Sequence, residues 1–311
     1  MSEVVLKKKP ILSRKAKRTI FIVVMLAYPL TQFILFFGYV NLDSIALTFQ
    51  SFSWTEGKYV FVGLQNYKIV IHNLLTSEST KRMLLNSFSY VIVNSFIILP
   101  LSILFSYFLF KKIPWSGFFR VVFFLPSILP IVVLTMTFSF LFDSNLGPVN
   151  SIITTLFNVH VADLPSWFGS YPTSQYMIIV YCIWAGLGFN ILLLSGAISR
   201  IPKELIEYGE LEGVGIIQEL RYIVIPLIWP TITTTFVLGL TAMYTVMMQP
   251  LLLTPENPNT TTLALSIYNS VIQNGSITYF ATLGLFLSFL GAPIIMLIRN
   301  LLSRIYSDVD F

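Results

Sequence analysis

The chain has 311 residues, 55% hydrophobic and 11% charged, with a formal net charge of +5. Water-soluble domains carry about 25% charged residues, so this composition excludes an ordinary soluble globule, and a mean hydropathy of +0.79 points to lipid as the solvent. The single cysteine, Cys182, excludes an internal disulfide and a cysteine-built metal cage, and His72 and His160 match no metal-ligand spacing, so no metal site is expected.

Residues 1–18, MSEVVLKKKPILSRKAKR, hold seven basic side chains and one acid, Glu3. They read as a cytoplasmic tail anchored by the positive-inside effect, not as a nucleic-acid site. An apolar run from Ile20 to Val40 follows. It is longer than a signal-peptide core and lacks a small-residue cleavage site, so a retained span is expected. In all, six segments are long and apolar enough to span: 19–40, 84–110, 121–141, 176–194, 227–249 and 280–298. None contains Asp, Glu, Lys, Arg or His. The first span and its outer loop form a unit at 19–83, and 84–311 form the core. The loops at 41–83, 142–175 and 250–279 have room for small helices but not for a domain.

With six spans both termini lie on one side, and 15 of the 19 basic residues fall there. Beyond the tail these are Lys111, Lys112 and Arg120, then Arg200, Lys203 and Arg221, then Arg299 and Arg304. Only Lys58, Lys68, Lys81 and Arg82 lie opposite. That asymmetry makes the tail side cytoplasmic. Pro29, Pro100, Pro126, Pro130, Pro230 and Pro293 interrupt the spans; each removes a backbone donor, giving packing irregularities or kinks that open a cavity.

No G-x-x-x-x-G-K-[ST], G-x-S-x-G or H-E-x-x-H occurs. Spans without ionisable groups weigh against a proton-coupled carrier and an intramembrane hydrolase, though sodium coupling through backbone carbonyls stays open. An energy source outside this polypeptide is expected.

One cytoplasmic stretch is polar: IPKELIEYGELEGVGIIQELRYIVIP, 201–226. Pro202 suits a helix start, and KELIEYGELE supplies helix formers with early acids. Gly213 suits a left-handed helix end. A second helical run, IIQELRYIVI, leads to Pro226. Leu205, Tyr208 and Leu211 recur every three residues, as do Ile217, Leu220 and Ile223, so each short helix has an apolar side. By composition this is either an interfacial connector with solvated glutamates or a docking surface for a cytoplasmic partner.

The spacing of Glu207, Gly213, Ile223, Ile225 and Pro226 resembles the EAA loop, E-A-A-x-x-x-G-(x)9-I-x-L-P, of membrane subunits of bacterial ABC importers. Tyr208 and Gly209 replace the alanines, Glu212 a common Asp, and Ile225 the Leu. FVGLQNYKIVI (61–71), FFRVVFFLPSILP (118–130) and LGPVNSII (146–153) resemble further stretches of sugar-importer permeases, whereas LLTPENPNTTT (252–262) stands where a G-G-P is often found. The chain thus resembles the maltose-type first permease of the carbohydrate-uptake family.

That resemblance implies an all-α integral membrane protein with six transmembrane helices, the type I importer (MetI-like) permease fold, in a bacterial cell membrane. It implies a second permease subunit, a cytoplasmic ATPase dimer that carries the ATP and Mg, and an extracytoplasmic solute-binding protein; this chain itself binds no cofactor and is not an enzyme. Glu207, Tyr208, Gly209, Glu212, Gly213, Ile223 and Pro226 would form the ATPase-coupling loop, with Glu207 orienting it by capping or a salt bridge. Spans flanking the loop would carry the solute site, with Tyr181, Trp184, Asn190, Thr241, Tyr244 and Gln249 as candidates and Asn94 beside them: aromatic faces stack on sugar rings and amides match hydroxyls. Each of these also reads as interhelical packing. A secondary carrier, or an importer of a solute such as glycerol-phosphate, is the alternative; a membrane enzyme would need acidic or metal-binding loops that the chain lacks.

Overall fold

The computed structural model describes residues 13–143, 147–255, 257–273 and 276–306. The tail before Ser13, and Leu146 and Glu256 of the stretches above, lie outside the described residues. The chain is mostly helical. Helix α1 (Arg14–Thr48) is long and apolar enough to cross a membrane, and it begins where the Ser13 hydroxyl accepts the Ala16 N–H at 3.1 Å. Every residue from Lys17 to Phe37 is exposed, so this span stands clear of the bundle over most of its length.

The outer loop holds more than small helices. Strands β1 (Gln50–Ser53) and β2 (Lys58–Phe61) form an antiparallel hairpin with Phe52 opposite Tyr59. Alternating aromatics and Gly57 at φ +63° account for it, and it is a departure from the purely helical expectation. Helix α2 (Gln65–Thr76) follows, and Asn66 pins the chain turn by donating to the Thr48 and Gln50 carbonyls at 2.9 and 2.8 Å.

Helix α3 (Glu78–Phe110) is the second uninterrupted span. Two expected spans are broken instead. Helices α4 (Ser116–Ile128) and α5 (Ile131–Leu141) meet at 111°. Leu129 precedes Pro130, whose ring disfavours a helical conformation there, and Leu129 is extended at ψ 143°. Helix α6 (Pro148–Phe157) lies in the next loop, and α7 (Thr173–Ile198) is the third uninterrupted span. After α8 (Lys203–Leu211), helices α9 (Ile216–Leu227) and α10 (Trp229–Leu240) meet at 79°, just ahead of Pro230. The expected 227–249 span thus starts at this bend and breaks up further into α11 (Ala242–Thr245) and α12 (Met248–Leu253), Pro250 taking a place in the first turn of α12. Helix α13 (Leu263–Ile272) precedes the last span, α14 (Ile277–Leu302). Four helices are thus long enough to cross a membrane, or up to six crossings if each bent pair is one span.

Pro100 and Pro226 are accommodated inside helices by a widened turn. Just before Pro100 the Leu99 N–H donates to the Asn94 carbonyl, and just before Pro226 the Ile225 N–H donates to the Leu220 carbonyl. These five-residue steps widen the helix by one residue where the proline withholds its donor.

Hydrogen bonds sort the elements into two ends. At one end Asn86 donates to the Asn259 and Thr261 carbonyls (2.7 and 3.1 Å), and Asn257 donates to the Ser174 hydroxyl. At the other, Lys111 meets α8 and α9, and the Trp229 indole donates to the Leu302 carbonyl at 2.7 Å. Between them, a core of Tyr90, Phe138, Ile178, Tyr181 and their neighbours is stacked on a second one that includes Leu99, Leu194, Ile198 and Ile228.

Candidate functional site

The polar stretch folds as the two short helices read from the sequence, α8 and α9, joined by a glycine turn. Gly213 has φ +74°, a left-handed conformation that a side chain would strain. The Val214 N–H donates to the Gly209 carbonyl at 3.0 Å and the Gly213 N–H to the Glu210 carbonyl at 3.1 Å, a full Schellman closure. Gln218 then reaches back to accept the Gly215 N–H at 3.1 Å, capping α9. Gly209 is buried, and a β-carbon there would stand 2.8 Å from Ile223 Cδ1, so the two helices touch at this residue. Helix α9 does not stop at Pro226 but runs one residue beyond it.

The face turned to the bundle is not the stripe that the spacing suggested. Leu205, Tyr208 and Leu211 are exposed, Leu211 by 82%, while Ile206 and Gly209 are buried. Ile206 and Val224 pack with Leu99, Tyr107, Leu194 and Ile198, wedging the loop between α3 and α7. The Leu205 stripe therefore points away from the bundle.

Glu207 is exposed and, among the described residues, makes no ion pair or hydrogen bond. Two other glutamates make the salt bridges. Lys111 Nζ lies 3.0 Å from Glu210 Oε1 on α8 and 2.8 Å from Glu219 Oε2 on α9. Glu219 is 2% exposed. Burial alone would lower the Lys111 pKa, but the hydrogen bonds its ammonium donates to Glu219 and Glu210 outweigh it and hold the ammonium above the ordinary lysine range. The Tyr107 hydroxyl adds a bond to the Ile216 carbonyl at 3.2 Å. In the sequence Lys111 stands out only for its charge, in the short loop after the second span; an uncompensated acid at a helical core position, Glu219, is the signal for its partner.

Tyr208, Gly209, Glu212, Ile223 and Pro226 line one open groove of about 370 Å³ with Leu205 and Leu227. Gly213 lies off the groove and shapes it through the turn.

A second cavity, of about 340 Å³, opens in the middle of the bundle. It forms where helices are interrupted: Leu129 and Ile131 flank the α4–α5 bend, Val246 and Gln249 flank the α11–α12 break, and Asn94 sits on the widened turn of α3. Ala185, Gly186 and Ala242 leave the space open. The lining offers the Asn94 and Gln249 amides and the Tyr181 and Thr245 hydroxyls, with no ionisable Asp, Glu, Lys, Arg or His. Such a surface suits a neutral, hydroxyl-bearing solute.

The expected pocket residues divide. Tyr181 and Gln249 line the cavity, as does Asn94. Tyr181 accepts a hydrogen bond from the Thr135 hydroxyl at 3.0 Å. Trp184 stacks on Phe138 with centroids 5.9 Å apart, forming a wall behind Tyr181. Tyr244 turns to α14 and donates to the Leu287 carbonyl at 2.9 Å, its hydroxyl filling the notch at Gly291. Thr241 bonds back to the Leu238 carbonyl, and Asn190 is half-buried on α7, outside the cavity lining. Among the described residues no cluster of His, Cys, Asp and Glu is placed to hold a metal.

The model of the family described as "Binding-protein-dependent transport system inner membrane component" matches residues 98–306. The chain is 26% identical over 253 residues to the probable ABC transporter permease protein YurN of Bacillus subtilis, covering 81% of this chain and 85% of the relative. It is 26% identical to the multiple sugar-binding transport system permease protein MsmF of Streptococcus mutans, covering 90% and 93%. To the maltose/maltodextrin transport system permease protein MalF of Escherichia coli it is 27% identical over 184 residues, which span 34% of that relative. In fold it is similar to a chain of a bacterial ABC transporter involved in the import of the acidic polysaccharide alginate, with a TM-score of 0.80 at 19% identity, covering 94% of this chain and 98% of that one. The family model spans well over half of the chain, and with the helical bundle and the loop geometry it identifies a non-catalytic, multi-pass membrane subunit: this protein belongs to the binding-protein-dependent transport system inner membrane components, the permeases of ABC importers.

Proposed function

We propose that this permease forms half of the translocation pathway for a sugar or oligosaccharide and is driven by a separate ATPase docked on residues 201–226. The observation that carries this is the groove at one end of the bundle: five of the seven loop residues expected to contact the ATPase line it, on helices locked by a Schellman turn. A stiff loop transmits displacement, whereas a floppy one dissipates it. The exposed Leu205–Tyr208–Leu211 stripe supplies apolar knobs for the ATPase, and Glu207, without a partner among the described residues, is available to a cation across that interface.

In this scheme each bent helix pair is one crossing, giving six spans, with both termini and the 201–226 loop cytoplasmic. The core spans 84–311, after the tail and the first span. A second, different permease chain completes the pathway, a pair of ATPases holds ATP and Mg, and an extracytoplasmic binding protein delivers solute to the opposite end. The neutral lining of the central cavity, and relatives whose names state sugars, support a carbohydrate over a phosphorylated solute such as glycerol-phosphate.

A cysteine at the exposed Leu211, in a Cys182→Ser background, tests the docking. It should react with impermeant maleimide only from the cytoplasmic face and cross-link to the ATPase that co-purifies. Labelling from the outer face, or solute accumulation by liposomes containing no ATPase, would refute the proposal. Competition of uptake by neutral oligosaccharides but not by glycerol-phosphate decides the solute class.

A further inference from the structure

A lever at 201–226 still has to move the helices that line the cavity, and one side chain joins the two. We infer that Lys111 is a latch that binds α3 to both helices of the loop, so that displacement of the loop by nucleotide is carried along α3 to Asn94 in the central cavity. This rests on the proposed role of the loop as the ATPase contact.

The base of the latch is fixed. Lys111 caps α3, where the Lys112 N–H donates to the Leu109 carbonyl (3.3 Å) and the Ile113 N–H to the Phe108 carbonyl (3.5 Å), with Lys112 left-handed at φ +52°. Its ammonium meets Glu210 before the glycine turn and Glu219 after it, at 3.0 and 2.8 Å. One cation therefore ties together the two arms of the lever and joins both to α3. Glu219 is buried, so water cannot readily replace the lysine as its partner. One turn back along α3, Tyr107 holds the start of α9 through the Ile216 carbonyl. From Asn94, on the widened turn, to Phe110, next to Lys111, α3 runs unbroken for about 24 Å at 1.5 Å per residue, long enough to join the loop to the cavity. The apolar contacts of Ile206 and Val224 with Leu99 and Tyr107 pack the loop against the same helix.

The test uses the assembled transporter, with its partner permease and ATPase, carrying Asn94→Cys in a Cys182→Ser background. The rate of N-ethylmaleimide modification at position 94 is read with and without ATP, Mg and vanadate, and a Leu211→Cys cross-link to the ATPase is scored in parallel. With Lys111 present, nucleotide should change the rate about tenfold. Lys111→Met should abolish that response while the Leu211→Cys cross-link persists, and Lys111→Arg should restore it. Lys111→Met with Glu219→Gln removes the unpaired buried charge and should still give no response. Recovery of the response in that double variant, or its survival in Lys111→Met, would reduce the cluster to charge compensation and overturn the latch. A cross-link that forms without any response in the Lys111 protein overturns the latch but spares the lever. Loss of the cross-link in that protein overturns both.

Discussion

Ile223 fills the notch that Gly209 leaves open: a β-carbon on Gly209 would lie 2.8 Å from Ile223 Cδ1. The atom in the way is the tip of a flexible side chain, so a single methyl is accommodated by a rotamer change, whereas a branched side chain is not. Gly209→Ala gains helix propensity of about 1 kcal/mol and loses a similar amount to the shifted Ile223. It should leave melting in detergent and ATP-dependent uptake close to normal. Gly209→Leu should separate α8 from α9 and lower uptake at least tenfold at unchanged membrane insertion, a contrast read by uptake and by membrane fractionation.

Gly213 serves the same junction through its backbone. At φ +74° a non-glycine residue costs about 1–2 kcal/mol, more if β-branched. Gly213→Val should insert normally and hydrolyse ATP in the complex while uptake collapses, whereas Gly213→Asn, which tolerates the left-handed region, should retain most of it. Simultaneous measurement of ATP hydrolysis and uptake separates uncoupling from misfolding.

Gln249 and Tyr244 are five residues apart in sequence but do different work. Gln249→Leu removes an amide from the cavity lining and should raise KM for uptake several-fold with little change in stability. Tyr244→Phe deletes the donor to the Leu287 carbonyl and should cost about 1 kcal/mol of stability at unchanged KM. Uptake titrations and thermal melts on the same pair of variants distinguish the two roles.

The Lys111 cluster has a defined response to pH. The lysine pKa is raised in the folded protein, so its stabilising contribution is complete below the ordinary lysine value of 10.5 and is lost as pH rises through the higher folded value. The difference in melting temperature between Lys111→Met and the parent should therefore hold level from neutral pH to about 10 and shrink above it, as a series of buffered melts would record.

Trp229 anchors the last turn of α14. Its indole donates to the Leu302 carbonyl at 2.7 Å and its ring meets Tyr306 edge-on at 5.2 Å. Trp229→Phe keeps the ring but removes the donor. It should destabilise by about 1 kcal/mol and speed proteolysis after Leu302, followed by C-terminal epitope loss.

The two short helices and the glycine turn of residues 201–226 were legible because their determinants are local. A helix opener at Pro202, a left-handed position at Gly213 and five points of spacing act within one short segment, and the turn forms where they put it. The spans at 84–110 and 176–194 were legible for the same reason, each being an unbroken apolar run with its charges at the ends. The spans at 121–141 and 227–249 were legible as apolar runs but not as bent pairs. Proline is visible at 100, 126, 130, 226 and 230 alike, yet the helix passes through three of them and breaks beside Leu129 and Ile228. Whether a helix widens by a residue or folds over at a proline depends on what packs against the freed carbonyls.

The lipid solvent, the apolar runs and the glycine-turned loop can be read along the chain, because hydropathy and backbone permissiveness are properties of neighbouring residues. Packing between distant segments sets which face of α8 is buried, that Glu210 and Glu219 rather than Glu207 meet Lys111, and that Asn94, Tyr181 and Gln249 share one cavity from which Tyr244 turns away. Those outcomes depend on residues brought together from distant parts of the chain, Lys111 with Glu219 and Tyr244 with Leu287, and no periodicity along a single helix encodes a partner on another.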